Sequence, residues 1–289
     1  MKPSRIIFRL LLCLLLLLPT PAAAQTAADS VKIVTANWHV TPLHKGITSF
    51  EADFDTLYGV PQNIAMLEIS TKHYRFDVEI HIPRETAIAI AREKGAVAAI
   101  NGGFFKEDGS SSTYLRKSGI VIDTTVTTKL STVVNGAIQI RRDRIDITPW
   151  TRYSADTCSL ESGTVLVAGP LLLQDGQNYS FDTVYNQDFV NARHPRSVVA
   201  NLKNGNILLL VASGRLPGHA EGINLPQLQH LLRMLGGKDA INLDGGGSST
   251  LWCLFAPDNG VLNKPSDNKL FDSYGVRKIG NSICVYENE

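Results

Sequence analysis

The chain has 289 residues, 44% of them hydrophobic and 19% charged, with 28 basic and 27 acidic side chains. That is ordinary globular composition, and it excludes a disordered tail protein. Without the three basic residues of the first 24, acids outnumber bases, 27 to 25, which argues against a surface built to coat nucleic acid and leaves room for a local basic site.

Met1 to Arg9 carries those three charges, and Leu10 to Leu18 is an unbroken apolar run of nine. Pro19 and Pro21 then break the run, and Ala22-Ala23-Ala24 offers small residues before Gln25. Residues 1–24 therefore read as a secretory signal peptide cleaved near Ala24, which predicts a periplasmic or secreted protein. Nine apolar residues are too few for a transmembrane anchor, which needs about 20. Beyond the leader remain Cys158, Cys253 and Cys284, an odd number. Cys253 and Cys284 lie in strand-like stretches; a disulfide and two buried free thiols both fit them.

Residues 25–45 read as a weakly ordered lead-in, and 46–289 as one domain without a linker. Asn63 to Ser70 and Tyr74 to Ile82 read as strands, the second alternating Phe76, Val78, Ile80 and Ile82. Pro83 is expected to open a helix that runs to Lys94 and stops at Gly95. A short buried strand, Ala96 to Ile100, should follow. Asn135-Gly136 and Asn204-Gly205 each predict a hairpin, because a type I′ turn needs positive φ at both central residues. Asn224 should cap a helix over Leu225 to Leu235, with Gly236 as its stop. Asp239 to Leu243, Thr250 to Phe255 and Asn281 to Tyr286 complete the strands. The expected class is α+β: a single domain with a large, mixed, mainly antiparallel twisted sheet covered by a few helices. Two helix-to-strand units end in matching Asn-led glycine loops; if both strands lie in one sheet, their loops emerge at one edge, and the alternative is coincidence between two short connections.

Three clusters stand out chemically. Asn101-Gly102-Gly103-Phe104-Phe105 combines close backbone approach with an amide and a ring face for a sugar; it also reads as a turn packing its phenylalanines inward. Arg193-His194-Pro195-Arg196-Ser197 places two guanidinium groups where they can clamp a phosphate or carboxylate; it also reads as a solvated strand end. Asn242-Leu243-Asp244-Gly245-Gly246-Gly247-Ser248-Ser249 exposes an acid at a strand end and aims N–H groups at an anion. The alternative there is a plain glycine turn. The last string lacks the Lys of a phosphate-binding P-loop and the second Gly of a serine-hydrolase elbow.

These strings, with Gly222-Ile223-Asn224-Leu225 and Pro265-Ser266-Asp267 in the same order, resemble the phosphodiester glycosidase family. The resemblance runs from about Ile64 to Glu287 and is densest from Gly222 to Ser249. It implies an exported hydrolase that cleaves a sugar, GlcNAc-like, from a phosphodiester and releases a phosphomonoester. Under that reading Asp244 and Arg196 are catalytic. Asn101, Gly102, Gly103, Phe104, Arg193, Asn242, Gly245, Gly246, Gly247, Ser248 and Ser249 bind substrate. Glu221 and Asp267 are weaker candidates for a second carboxylate. No cofactor is expected, and one isolated acid does not indicate a divalent metal. The expected partner is a carbohydrate phosphodiester or polysaccharide, with no nucleic acid and no transmembrane anchor. Two other readings remain open: a glycosidase acting on a non-phosphorylated surface polysaccharide, and a non-catalytic carbohydrate-binding, exopolysaccharide-associated protein.

Overall fold

The computed structural model describes residues 21–124, 130–141, 144–151, 153–157, 163–182, 184 and 186–288. Residues 1–20 of the expected leader, with Cys13, and also Cys158 lie outside the described residues.

In chain order the first strands are β1 (His39–His44), β2 (Ile47–Leu57), β3 (Val60–Ile69), β4 (Tyr74–Thr86) and β5 (Ala98–Asn101). Next come β6 (Leu115–Lys117), β7 (Ile120–Asp123), β8 (Gly136–Arg141), β9 (Arg144–Pro149), β10 (Thr164–Ala168) and β11 (Leu171–Gln174). The last are β12 (Gln177–Asn178), β13 (Arg196–Leu202), β14 (Ile207–Ala212), β15 (Gly237–Asn242), β16 (Leu251–Cys253) and β17 (Lys278–Glu287). The described helices are α1 (Pro21–Thr35), α2 (Ala87–Lys94), α3 (Ser154–Thr157), α4 (Gln187–Asn191) and α5 (Leu225–Met234).

The architecture is α+β in a single domain, with far more strand than helix. Eight strands form one sheet in the order β1-β2-β3-β14-β13-β15-β11-β12; two smaller sheets run β7-β6-β10-β8-β9 and β16-β5-β17-β4. Each ladder between the described strands is antiparallel. The central strand β14 is apolar throughout, and β13 is apolar from Val198 to Ala200, because both faces of the large sheet are covered. Val199, Leu209 and Val211 enter a core shared with Ile100 and Ile283 of the four-stranded sheet and Leu115, Ile138 and Leu166 of the five-stranded one. Val198, Leu208 and Leu210 face the opposite way, onto Ile33 of α1 and Leu228 and Leu232 of α5.

Helix α5 forms where expected. Its N-cap Asn224 accepts from Gln227 N while the Gln227 side chain accepts from Asn224 N, so two orphan donors are satisfied reciprocally. The β13–β14 hairpin also forms, with Gly205 at φ +87°.

Several expectations fail locally. β4 runs through Pro83 to Thr86, and α2 starts only at Ala87, capped by the Thr86 hydroxyl. Pro83 is tolerated there because β4 is an edge strand, where a missing N–H leaves no ladder bond unmade. Gly136 starts β8 instead of turning a hairpin, since Leu171 and Ile241 fill the space a Cβ would need. The segment 25–45 is not a loose lead-in. The part of α1 within it buries Asp29 and Ile33, with Asp29 accepting from Tyr58 N, and β1 edges the large sheet. The two Asn-led loops do not leave one sheet: β5 belongs to the four-stranded sheet and β15 to the eight-stranded one. Cys253 and Cys284 are unbridged, buried thiols.

Asn224→Ala breaks both halves of the capping box, so the variant should lose about 1 kcal/mol of stability, read from the midpoint of a denaturant titration.

Candidate active site

The two glycine loops meet although their sheets differ. Asn101 donates from Nδ2 to Asp244 O at 2.6 Å, and Asp244 N donates to Gly102 O at 3.1 Å. The Asn101 Oδ1 accepts from Ser197 Oγ at 2.7 Å and from Thr250 N at 3.2 Å. Leu243 N and Gly246 N donate to the carbonyls of Ser197 and Pro195. These bonds sew the end of β5, the start of β13 and the turn after β15 into one rim.

A cavity of about 800 Å³ opens at that rim. Its walls include Phe104, Arg196, Asp244, Gly245, Gly246, Gly247 and Ser248, so these predicted residues converge. They are joined by His194, Arg215, Arg277, Arg84, Phe105 and Lys278. The triglycine turn is required by what presses on it. A Cβ at Gly245 would meet Pro195 O at 2.6 Å, one at Gly246 the Arg215 guanidinium, and one at Gly247 the Asp267 carboxylate and Arg277.

Asp244 is half-buried, and desolvation pushes its pKa up to about 6. The Ser248 hydroxyl, the Gly245 N–H at 3.0 Å, and the charges of Arg277 and Arg215 oppose that rise. Arg196 is only 1% exposed, yet it makes no ion pair with a carboxylate among the described residues. Its Nε donates to Ile223 O, its Nη2 to Phe189 O and Ala192 O, and its guanidinium lies 4.6 Å from the centre of the Phe189 ring. Nη1 makes no hydrogen bond to a described residue, and Arg196 lines the cavity. Burial and Arg215 lower its pKa to about 10, so it remains a cation at neutral pH. This explains the Gly222-Ile223-Asn224 string: Ile223 holds the arginine and Asn224 begins α5. Gly222, at φ +92°, lies against the His194 backbone, where a Cβ would clash.

Other predicted residues do not reach the cavity. Arg193 points away, donating to Tyr58 O at 2.7 Å. Asn101 and Asn242 are buried braces; Asn242 Nδ2 donates to Gly169 O and Leu243 O. Gly102 and Gly103 serve through their backbones, with Asn281 Oδ1 occupying the space beside Gly102 and accepting from Gly103 N. Ser249 turns inward as the chain enters β16. Glu221 accepts from Gly218 N outside the cavity. Asp267 is held by Arg277 through two bonds of 2.7 and 2.8 Å, so Asp244 is the sole carboxylate among the described lining residues.

Sequence reasoning missed Arg215, Arg277 and Arg84 and set His194 aside as plain structure. None lies in a motif that announces chemistry. Arg215 follows a Ser-Gly pair at φ +60°, and its Nη2 sits 3.4 Å from His194 Nδ1. Burial, Arg196 and Arg215 all lower the His194 pKa, favouring the neutral ring. No group of three or more His, Cys, Asp or Glu side chains with metal-holding geometry occurs among the described residues.

The profile of the phosphodiester glycosidases matches residues 94–286. The chain belongs to that family. Curated relatives are the N-acetylglucosamine-1-phosphodiester alpha-N-acetylglucosaminidases of mouse and cattle, each 27% identical. The alignments cover 71% of this chain but 40% and 39% of those proteins, so the chain spans about two fifths of their length. The zebrafish enzyme's catalytic domain, solved in a form auto-inhibited by its pro-peptide, superposes with a TM-score of 0.65 at 20% identity. That match covers 88% of this chain and 89% of the other. A Synechocystis protein of unassigned function gives 0.61 at 16% identity, over 87% and 64% of the two chains. This phosphodiester glycosidase thus shares its fold with both.

The raised Asp244 pKa carries a stability signature. Between about pH 4 and 6 the folded chain keeps a proton that the unfolded chain releases, so the contribution favours folding at low pH and is lost as pH rises through 6. Asp244→Asn should therefore gain stability over the parent by about 2 kcal/mol at pH 8 and little at pH 4, measured as the pH dependence of the melting temperature.

Proposed function

We propose that this phosphodiester glycosidase is an exported hydrolase that removes a GlcNAc-like sugar from a glycosyl phosphodiester. Water adds to the anomeric carbon, the C1–O bond breaks, and the electron pair leaves on phosphate as a phosphomonoester. The observation that carries the reading is the convergence of Arg196 and Asp244 on one cavity beside the triglycine turn. Names of the curated relatives supply the sugar and the bond; the residues supply a reason why such a bond suits this cavity.

A phosphomonoester is a good leaving group, because its second pKa lies near about 6. It departs without full protonation, so the site needs no second carboxylate as general acid. Stabilising the departing charge matters more. Nη1 of Arg196, with Arg215, meets that charge. Asp244, ionised above its pKa, faces the positive charge growing at the anomeric carbon and accepts the proton of the attacking water. Neutral His194 and the ring of Phe104 shape the sugar side. The lone carboxylate argues against a glycosidase that expels an alcohol, since that chemistry uses an acid and a base.

Export rests on the N-terminal leader. No helix among the described residues is long and apolar enough to cross a membrane.

Phosphate release from a GlcNAc-1-phosphodiester, coupled to a phosphatase, tests the activity. Arg196→Ala and Asp244→Asn should each lower kcat by at least about a hundredfold with an intact fold by circular dichroism. The parent's kcat/KM should rise with pH through about 6 as Asp244 ionises. Turnover undiminished in Asp244→Asn would remove its role. For export, mass spectrometry of protein recovered outside the cytoplasm should find a mature chain starting near Gln25.

A further inference from the structure

The cavity holds more positive charge than one phosphodiester can answer. Arg84, Arg196, Arg215, Arg277 and Lys278 face it, against Asp244 alone. Arg277 is neutralised by Asp267 and Lys278 by Glu85 at 3.1 Å. Arg196, Arg215 and Arg84 have no carboxylate partner among the described residues. A phosphodiester carries a single negative charge, and Arg196 and Arg215 beside the triglycine turn already receive it. Arg84 is left over.

Arg84 also comes from a different sheet than Arg196. It lies on β4 of the four-stranded sheet, with Lys278 on the paired strand β17, and lines the cavity together with Phe105. Its placement is built. Its guanidinium sits 5.9 Å from the centre of the Phe105 ring, and its stem packs where a Cβ on Gly109 would go, 3.1 Å from Cγ. Gly109, at φ +95°, brings the loop that carries Phe104 and Phe105 against this arginine. A half-buried guanidinium held in place on a cavity wall with no acid to answer it is suited to an anion delivered by a ligand. The cavity, about 800 Å³, has room for a sugar, its phosphate and part of the aglycone, since ligand pockets run from ~300 to ~1,000 Å³.

We infer that Arg84, held against Phe105, forms a second anion subsite, and that the preferred substrate is a glycosyl phosphodiester whose aglycone bears another negative charge. The inference rests on the phosphodiester reading above and names the substrate class for that site. Segments of a phosphate-bearing surface polymer have this chemistry.

The test compares two diesters of GlcNAc 1-phosphate that differ only in the aglycone: glycerol, and glycerol 3-phosphate. The parent protein should show a kcat/KM about tenfold higher on the phosphorylated aglycone at about 0.05 M salt, the preference shrinking at about 0.5 M as the charges are screened. Arg84→Gln should bring the two substrates within about twofold of each other, chiefly through a lower kcat/KM on the phosphorylated aglycone, and Arg84→Lys should keep part of the preference. Cleavage of both diesters with equal efficiency, or a preference that survives Arg84→Gln, overturns the second subsite and leaves the phosphodiester reading standing. Failure to cleave either diester overturns both.

Discussion

One buried amide holds the working parts together. Asn101 ends the short strand of one sheet, and its side chain fixes the carbonyl of Asp244, the hydroxyl of Ser197 and the N–H of Thr250, all on other elements. A side-chain amide is suited to this because it offers donor and acceptor at once. An unpaired amide at this depth is costly, so the arrangement admits little variation. Two sheets that share only an apolar core are thereby locked in register at the edge where Asp244 emerges.

Around that lock the chain spends its unusual geometry on charge. The triglycine turn does not supply flexibility; it supplies absence of bulk where Pro195, Arg215 and the Asp267–Arg277 pair all press close. The result is an acid whose proton affinity is raised by dehydration and lowered by surrounding cations, arriving at a compromise near neutrality. Arg196 is the counterpart, buried among carbonyls that orient its plane without cancelling its charge. Both groups line the same cavity.

The sequence made some of this legible and hid the rest for definite reasons. Local signals worked wherever the decisive interaction is itself local: the reciprocal cap at Asn224, the leucine stripe of α5, the left-handed stop at Gly95 and the turn at Gly205. They failed where a distant neighbour decides. Pro83 resembles a helix start, yet β17 pairs beside it and extends the strand. Asn135-Gly136 resembles a hairpin, yet Asn135 accepts from Leu171 N and Leu171 packs over Gly136. The strings around Asp244 and Arg196 identified the cavity. Within them polar residues divided by burial: Asn101 and Asn242 became braces, whereas Ser248 reached the wall. Arg215, Arg277 and Arg84 come from three separate segments and converge only in the folded chain, so no spacing rule reveals them.

The unbridged thiols have a consequence for how the molecule is made. Cys253 and Cys284 sit in β16 and β17, either side of β5, and apolar burial pushes both thiols up, Cys284 to about 12. At ordinary pH they are inert hydrophobes, and the small sheet is tied by backbone ladders instead of sulfur. Completing this sheet therefore requires no oxidation of these thiols, so its ladders stand apart from the redox state of the surroundings.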